Sequence, residues 1–215
     1  MKGLKSLAFT LAEVIIVVGI IGIIAELTIP QLMENVQEQE FKGAAKTAYS
    51  KAYQAIMQMK AEQGGSLFPF YNDVNAFKPE FMKYFKVIKD CSIKDCVPSS
   101  ENSTIYKTIN GIEGYTLYMD EGQFVTADGM FWGIQNSNNI YVENNLMISV
   151  DVNGYMKKPN AFGKDLFMFQ YIDENLYPMG AENTHLKANI YCNRQNKGTY
   201  SGLGCMYYVM QGISY

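Results

Sequence analysis

The sequence predicts an α+β fold, with one long N-terminal helix packed on an antiparallel β-sheet head. Three observations predict it. An uninterrupted apolar run extends from Val14 to Ala25, with near-apolar flanks from Phe9 to Met33. Phe41, Ala45, Ala48, Ala52, Ala55 and Met59 then recur at steps of three and four, the spacing of one helical face. Beyond residue 65, short apolar runs alternate with glycine- and asparagine-containing turns, which reads as strands.

The totals agree. A chain of 215 residues with 48% apolar, 13% aromatic and 18% charged residues buries a real core, as one domain with an appendage or as two small domains. Such a composition excludes a largely disordered protein. The net charge of -3 leaves no basic footprint, so no nucleic-acid partner is predicted.

A membrane-crossing helix needs about 20 predominantly apolar residues, and Phe9 to Met33 supplies them once, with Glu13 and Glu26 as the only charges. Lys2 and Lys5 precede the run, which by the positive-inside rule keeps the leader in the cytoplasm and sends the C-terminus outward. A cleaved secretory signal is the alternative, but bulky Ile23 stands where a small residue is needed before Ala25. Glu13 is the anomaly. An intramembrane carboxylate costs about 2.5–3.5 kcal/mol on insertion scales, so it calls for a cation. Lys2 and Lys5 are one source. A new terminal ammonium at Phe9 is another, four residues away and within about 6 Å at helical rise.

Ala8-Phe9-Thr10-Leu11-Ala12-Glu13, after a short basic leader and before an apolar helix, resembles the processing signal of type IV pilins and type II secretion pseudopilins. The resemblance covers residues 5 to 30 and fades after about residue 60; Ala8 replaces the family's usual glycine. It implies cutting by a prepilin peptidase between Ala8 and Phe9 and N-methylation of the new terminus. It further implies that Glu13 pairs with the terminal amine of an adjacent subunit, and that Pro30 sits where the family's helix kinks. Proline removes a hydrogen bond to the Glu26 carbonyl, which predicts a bend or loosening there. Gly19 and Gly22, each worth about 1 kcal/mol of lost helix propensity, serve either as small packing residues or as weak points. The implied partners are other copies or related pilin subunits, the peptidase, the inner-membrane assembly machinery and the membrane itself. The implied location is a single-pass inner-membrane protein with its head outside the cytoplasm, later part of a pilus or pseudopilus. A monomeric, membrane-tethered binding or sensory domain is the alternative.

The expected division is residues 1–8 as leader, 9–33 as membrane and filament-core helix, 34–65 as its amphipathic continuation and 66–215 as head. Gly64-Gly65 should end the helix, and Glu38 with Lys42 gives it an i, i+4 pair. In the head, Asn110-Gly111 predicts a hairpin between Thr104–Ile109 and Ile112–Met119. Further runs lie around Phe124, Met130–Ile134, Ile140–Val142, Leu146–Val152 and Leu166–Ile172. Asn102-Ser103-Thr104 matches a glycosylation sequon, a short pattern of little weight.

Four cysteines form two close pairs, Cys91 with Cys96 and Cys192 with Cys205. An outward-facing head favours two disulfides over free or metal-bound thiols; three connectivities exist, and spacing suggests the local one. Asp151, Asn153 and Asp165 belong to a polar knot between two apolar strands. They are candidate oxygen ligands for calcium, the one cofactor considered, although Gly154 falls at the fourth rather than the sixth position of an EF-hand pattern. Asx-turns shaping a tight connection are the favoured reading. His185 is the only histidine and has no catalytic or metal-ligand pattern around it, so no enzyme is predicted.

Overall fold

The computed structural model describes residues 10–67, 74–100, 103–136 and 146–215. The chain is α+β, and it divides into two compact units, Met1–Glu40 and Phe41–Tyr215. Helix α1 spans Leu11–Glu62. It continues through Pro30 as one helix, because a proline inside a long helix forfeits chiefly one carbonyl's bond while the flanking turns hold. Its end is as expected. Gly64 and Gly65 adopt φ of +80° and +104°, and the Gly65 N–H donates to the Lys60 carbonyl at 2.7 Å.

In the second unit the alanine stripe does what its spacing predicts. Ala45, Ala48, Ala52, Ala55, Ile56 and Met59 are all buried. They lie on a six-stranded antiparallel meander: β1 Val87–Asp90, β2 Gly122–Thr126, β3 Phe131–Gln135, β4 Leu146–Asp151, β5 Leu166–Ile172 and β6 Asn175–Pro178, in that order across the sheet. The register sets Trp132 opposite Phe124 and Val150, Ile134 opposite Ile148, and Ile148 opposite Phe169. These residues share the face that receives α1. Helix α2, Val74–Met82, adds Phe77 and Phe81 to the same core, and Phe81 meets Phe124 and Trp132 edge-on at 6.2 and 6.3 Å.

The opposite face is buried too. Phe131, Met147, Leu166 and Met168 pack under loops that bring Cys91, Val97, Tyr106, Phe162 and Leu203 onto them. Two covered faces explain why β4 and β5 read as continuous apolar runs rather than alternating ones. Both sheet edges are interrupted. β1 carries a register shift between Val87 and Lys89, and β6 ends on Pro178. Short helices α3, Ala188–Tyr191, and α4, Met206–Gln211, close the C-terminal part. Disulfides join Cys91 to Cys96 and Cys192 to Cys205, the local connectivity.

The Asn110-Gly111 expectation fails in part. A tight turn forms, with the Gly111 N–H on the Thr108 carbonyl at 2.9 Å and a lone bridge between Lys107 and Glu113. No strands flank it. The Thr108 and Gly114 N–H groups donate across the turn to the Ile112 and Tyr106 carbonyls, while the outward-facing Lys107 and Ile109 N–H groups donate to the Asn160 and Ser201 carbonyls, so the two arms pair with each other over a single bridge. Ile140–Val142 and Asn102 lie outside the described residues, whereas β1, β6 and α2 have no counterpart in the expected elements.

Candidate functional site

The N-terminal site begins at Thr10. Ala8 and Phe9 lie outside the described residues. The Thr10 N–H and its hydroxyl both donate to Glu13 Oε2 at 2.8 Å, and the Glu13 N–H donates back to Thr10 Oγ1 at 3.3 Å. This reciprocal arrangement is a capping box: the carboxylate serves donors that the first turn cannot otherwise satisfy. Sequence reasoning asked only for a cation and missed this local partner, although a threonine three residues before a glutamate is the pattern that announces it.

Past the cap, the first unit presents no buried apolar surface of its own. Fifteen large apolar side chains from Leu11 to Val36 are 48–76% exposed. Burying each fully is worth about 1.5–3 kcal/mol, so this surface demands lipid or other protein. Leu11–Glu62 contains a window apolar and long enough to cross a membrane. A Cβ added at Gly19 or Gly22 would meet nothing within 4 Å, so no contact among the described residues requires either glycine. Thr28 directs its hydroxyl to the Ile24 carbonyl at 2.9 Å, hiding a polar group within the same surface.

The second site is the polar knot. Asp151 closes β4 and Asp165 immediately precedes β5, where Asp151 faces Leu166, so the register brings together two carboxylates fourteen residues apart. Both residues are fully buried. Asp151 Oδ1 accepts the N–H groups of Asn153 at 3.2 Å and Gly154 at 2.9 Å, while its Oδ2 accepts the Tyr106 hydroxyl at 2.7 Å. Asp165 accepts the N–H groups of Asn160 and Ala161, one on each oxygen, at 2.7 Å. Burial and the facing Asp165 charge push Asp151 up to about 7, and burial lifts Asp165 to about 6 against the pull of its backbone donors. Burial and the Asp151 charge raise Tyr106 as well, which keeps it a donor.

This donor set fits calcium poorly. Calcium takes six to eight oxygens, yet all four carboxylate oxygens already accept hydrogen bonds from the chain. Among the knot's amide side chains, only Asn153 Oδ1 and Asn160 Oδ1 are buried without a donor. No group of three or more acidic, histidine or cysteine side chains suited to a metal occurs among the described residues. The arrangement instead fixes a loop. Gly154 holds φ +86°, and a Cβ there would lie 2.5 Å from the Gly129 carbonyl, so only glycine passes. Asn153 Nδ2 donates to the Lys158 carbonyl at 3.0 Å and Asn160 Nδ2 to the Tyr155 carbonyl at 2.8 Å.

His185 rests beside the Tyr118 hydroxyl, 3.3 Å from Nε2, and its backbone N–H donates to Gln170 Oε1; burial lowers its pKa. The buried Gln123 was missed by sequence reasoning. Its Oε1 accepts the Cys96 and Val97 N–H groups and its Nε2 donates to the Val97 and Met119 carbonyls, which docks the Cys91–Cys96 loop on the sheet.

Comparison of the chain with protein-family models, with curated proteins and with solved structures returns no match. A long apolar N-terminal helix, an antiparallel sheet and local disulfides are pilin-like in their general character.

Proposed function

We propose that the protein is a structural subunit of a bacterial type IV pilus or type II secretion pseudopilus. It is made as a membrane precursor, cut by prepilin peptidase before Phe9, and polymerised through its N-terminal helix by the inner-membrane assembly machinery. The observation that carries this reading is the contrast along α1. The stripe from Ala45 to Met59 is buried in the protein's own core, while Leu11 to Val36 offers an apolar surface that nothing among the described residues covers. In the membrane lipid covers it, and in a fibre neighbouring helices do. Glu13 then penalises misregistered neighbours, because a carboxylate moved into an apolar bundle without a cation is costly.

A monomeric, membrane-tethered binding domain is the second reading. It draws on the capping box, which gives the Glu13 carboxylate partners without any second subunit. N-terminal sequencing of membrane-extracted protein separates the two. Methylated Phe9 at the terminus is the expected result; a terminus at Met1 overturns the filament reading.

A further inference from the structure

A cavity of about 430 Å³ opens on the second unit between α2 and the far end of β1. Pro79 and Met82 from α2 and Ile93 from the Cys91–Cys96 loop give it apolar walls, and Ile93 is 51% exposed. Lys78, Asp90 and Glu121 line the rest. Lys78 is more than nine-tenths buried, and its ammonium is committed to the Asp90 carboxylate and the Ser92 carbonyl. One ammonium therefore stands among two carboxylates. The Asp90 side chain is 57% exposed, so the pocket keeps an accessible surplus of negative charge beside an apolar wall. Its complement is a cation carried next to an apolar side chain.

The same unit carries such a complement. Met156 is 84% exposed, the most exposed large apolar side chain among the described residues, and exposed Lys157 and Lys158 follow it. The loop that presents them is held from below. Lys157 donates its N–H to the Gly154 carbonyl at 2.9 Å, and the Asn153 and Asn160 amides grip the Lys158 and Tyr155 carbonyls. Its apolar tip and two ammonium groups are thus displayed on a rigid base.

The sheet keeps knob and pocket apart. The knob follows Asp151, at the strand end that Asp151 shares with Phe131 and Val125. The pocket adjoins Asp90, which pairs with Phe124 on β2 from the sheet-edge strand β1, and Glu121, which precedes Gly122 at the start of β2. Strands β2 and β3 lie between β1, which carries Asp90, and β4, which carries Asp151, so three strand spacings of about 14 Å in all separate the two strands.

We infer that the Met156-Lys157-Lys158 loop of one copy seats in the pocket formed by Pro79, Met82, Ile93, Asp90 and Glu121 of the next copy. Such a contact is heterologous, one surface meeting a different one, and its repetition gives a ring or an open helix rather than a closed dimer. The inference rests on the filament reading and adds the head-to-head contact that would set subunit order in it.

The test mixes isotopically light and heavy full-length protein in native membranes and in fibres. A carbodiimide then links ammonium to carboxylate groups in contact, and mass spectrometry reads the joined peptides. The expected product is a light–heavy peptide joining Lys157 or Lys158 to Asp90 or Glu121. Its yield should fall about fivefold in high salt, as screening weakens the pairing. Met156→Glu keeps both lysines and therefore keeps the linking chemistry. It should lower the yield to a similar degree without moving the melting temperature. Fibres that lack this link, or a link found only within single chains, overturn the head contact and leave the filament reading standing. The link in chains that retain their first eight residues and form no fibres supports the contact and overturns the filament reading. Absence of both fibres and link overturns both.

Discussion

Lys60, in the last turn of α1, donates its ammonium to the Glu174 carbonyl at 2.6 Å and stands 3.2 Å from the Glu174 carboxylate. Glu174 is half of the two-residue turn between β5 and β6, where Asp173 and Glu174 both hold positive φ, at 50° and 61°. A turn of that kind favours Asn-Gly, because side chains resist the left-handed region. Here tertiary bonds hold it instead. The Glu174 carboxylate also accepts from Ser66 at 2.8 Å and Tyr171 at 2.7 Å. The helix end and the sheet edge are thus fastened to each other through one residue.

Lys60→Met, which keeps the alkyl stem and removes the donor, should therefore destabilise the head by about 1 kcal/mol, the net worth of one part-exposed charged hydrogen bond. Urea melts of the full-length protein in detergent would measure it as a lower midpoint with an unchanged slope. An unchanged midpoint would mean that the turn holds its left-handed backbone without the helix.

The capping box gives Glu13 two separable duties. Glu13→Gln keeps an oxygen for the Thr10 N–H and removes the charge, whereas Glu13→Ala removes both. Losing a cap costs about 1 kcal/mol of local helix stability. Both variants should enter the membrane normally and yield little fibre on sedimentation, and only the alanine variant should fray at the first turn by amide exchange. Normal fibre yield from the glutamine variant would reduce Glu13 to a capping residue.

How much of this was legible in the sequence depends on where each element finds its partners. The Ala45 to Met59 stripe and the Gly64 stop were readable because helical spacing and left-handed glycine are local properties. β3, β4 and β5 were readable as apolar runs for a similar reason. β1 was not, since Val87–Asp90 is a short, charged edge strand whose pairing comes entirely from β2. β6 hid behind an Asp-Glu turn that only Lys60, Ser66 and Tyr171 make tenable. Helix α2 hid behind Pro79, and with it went the pocket. Asp151 and Asp165 were singled out as candidate ligands from their oxygen chemistry, with turn-shaping favoured over metal, but their burial and their hydrogen bonds to the intervening backbone follow from strand register, which the sequence does not print.

Both disulfides should be closed in protein taken from cells, so that alkylation leaves its mass unchanged until reductant is added. The Cys192–Cys205 bridge has the larger effect on stability. Its separation of 13 residues corresponds to about 3 kcal/mol of chain entropy removed from the unfolded state. Cys205 is fully buried beside Ile109 and Ala188. Replacing both cysteines of this pair by serine should lower the head's melting temperature well beyond the effect of the same change at Cys91 and Cys96. Two or more thiols alkylated without reductant would contradict the pairing.

The buried acid pair fixes the sign of the head's pH dependence. Asp151 and Asp165 are raised to about 7 and about 6 in the folded protein by burial and, for Asp151, by its neighbour's charge. An unfolded aspartate titrates near pH ~4, so the folded state holds protons that the unfolded chain releases. The stability this confers is fully present below about pH 4 and is lost as pH rises through 6 and 7. The melting temperature should fall over that interval in the wild type. Asp151→Asn should flatten the profile: it keeps oxygen and shape, needs no proton, and presents no charge to Asp165. Calcium added at neutral pH should leave the wild-type melt in place, because the carboxylate oxygens are already occupied by chain donors. A calcium-dependent rise that Asp165→Asn abolishes would show instead that a cation takes the place of the proton.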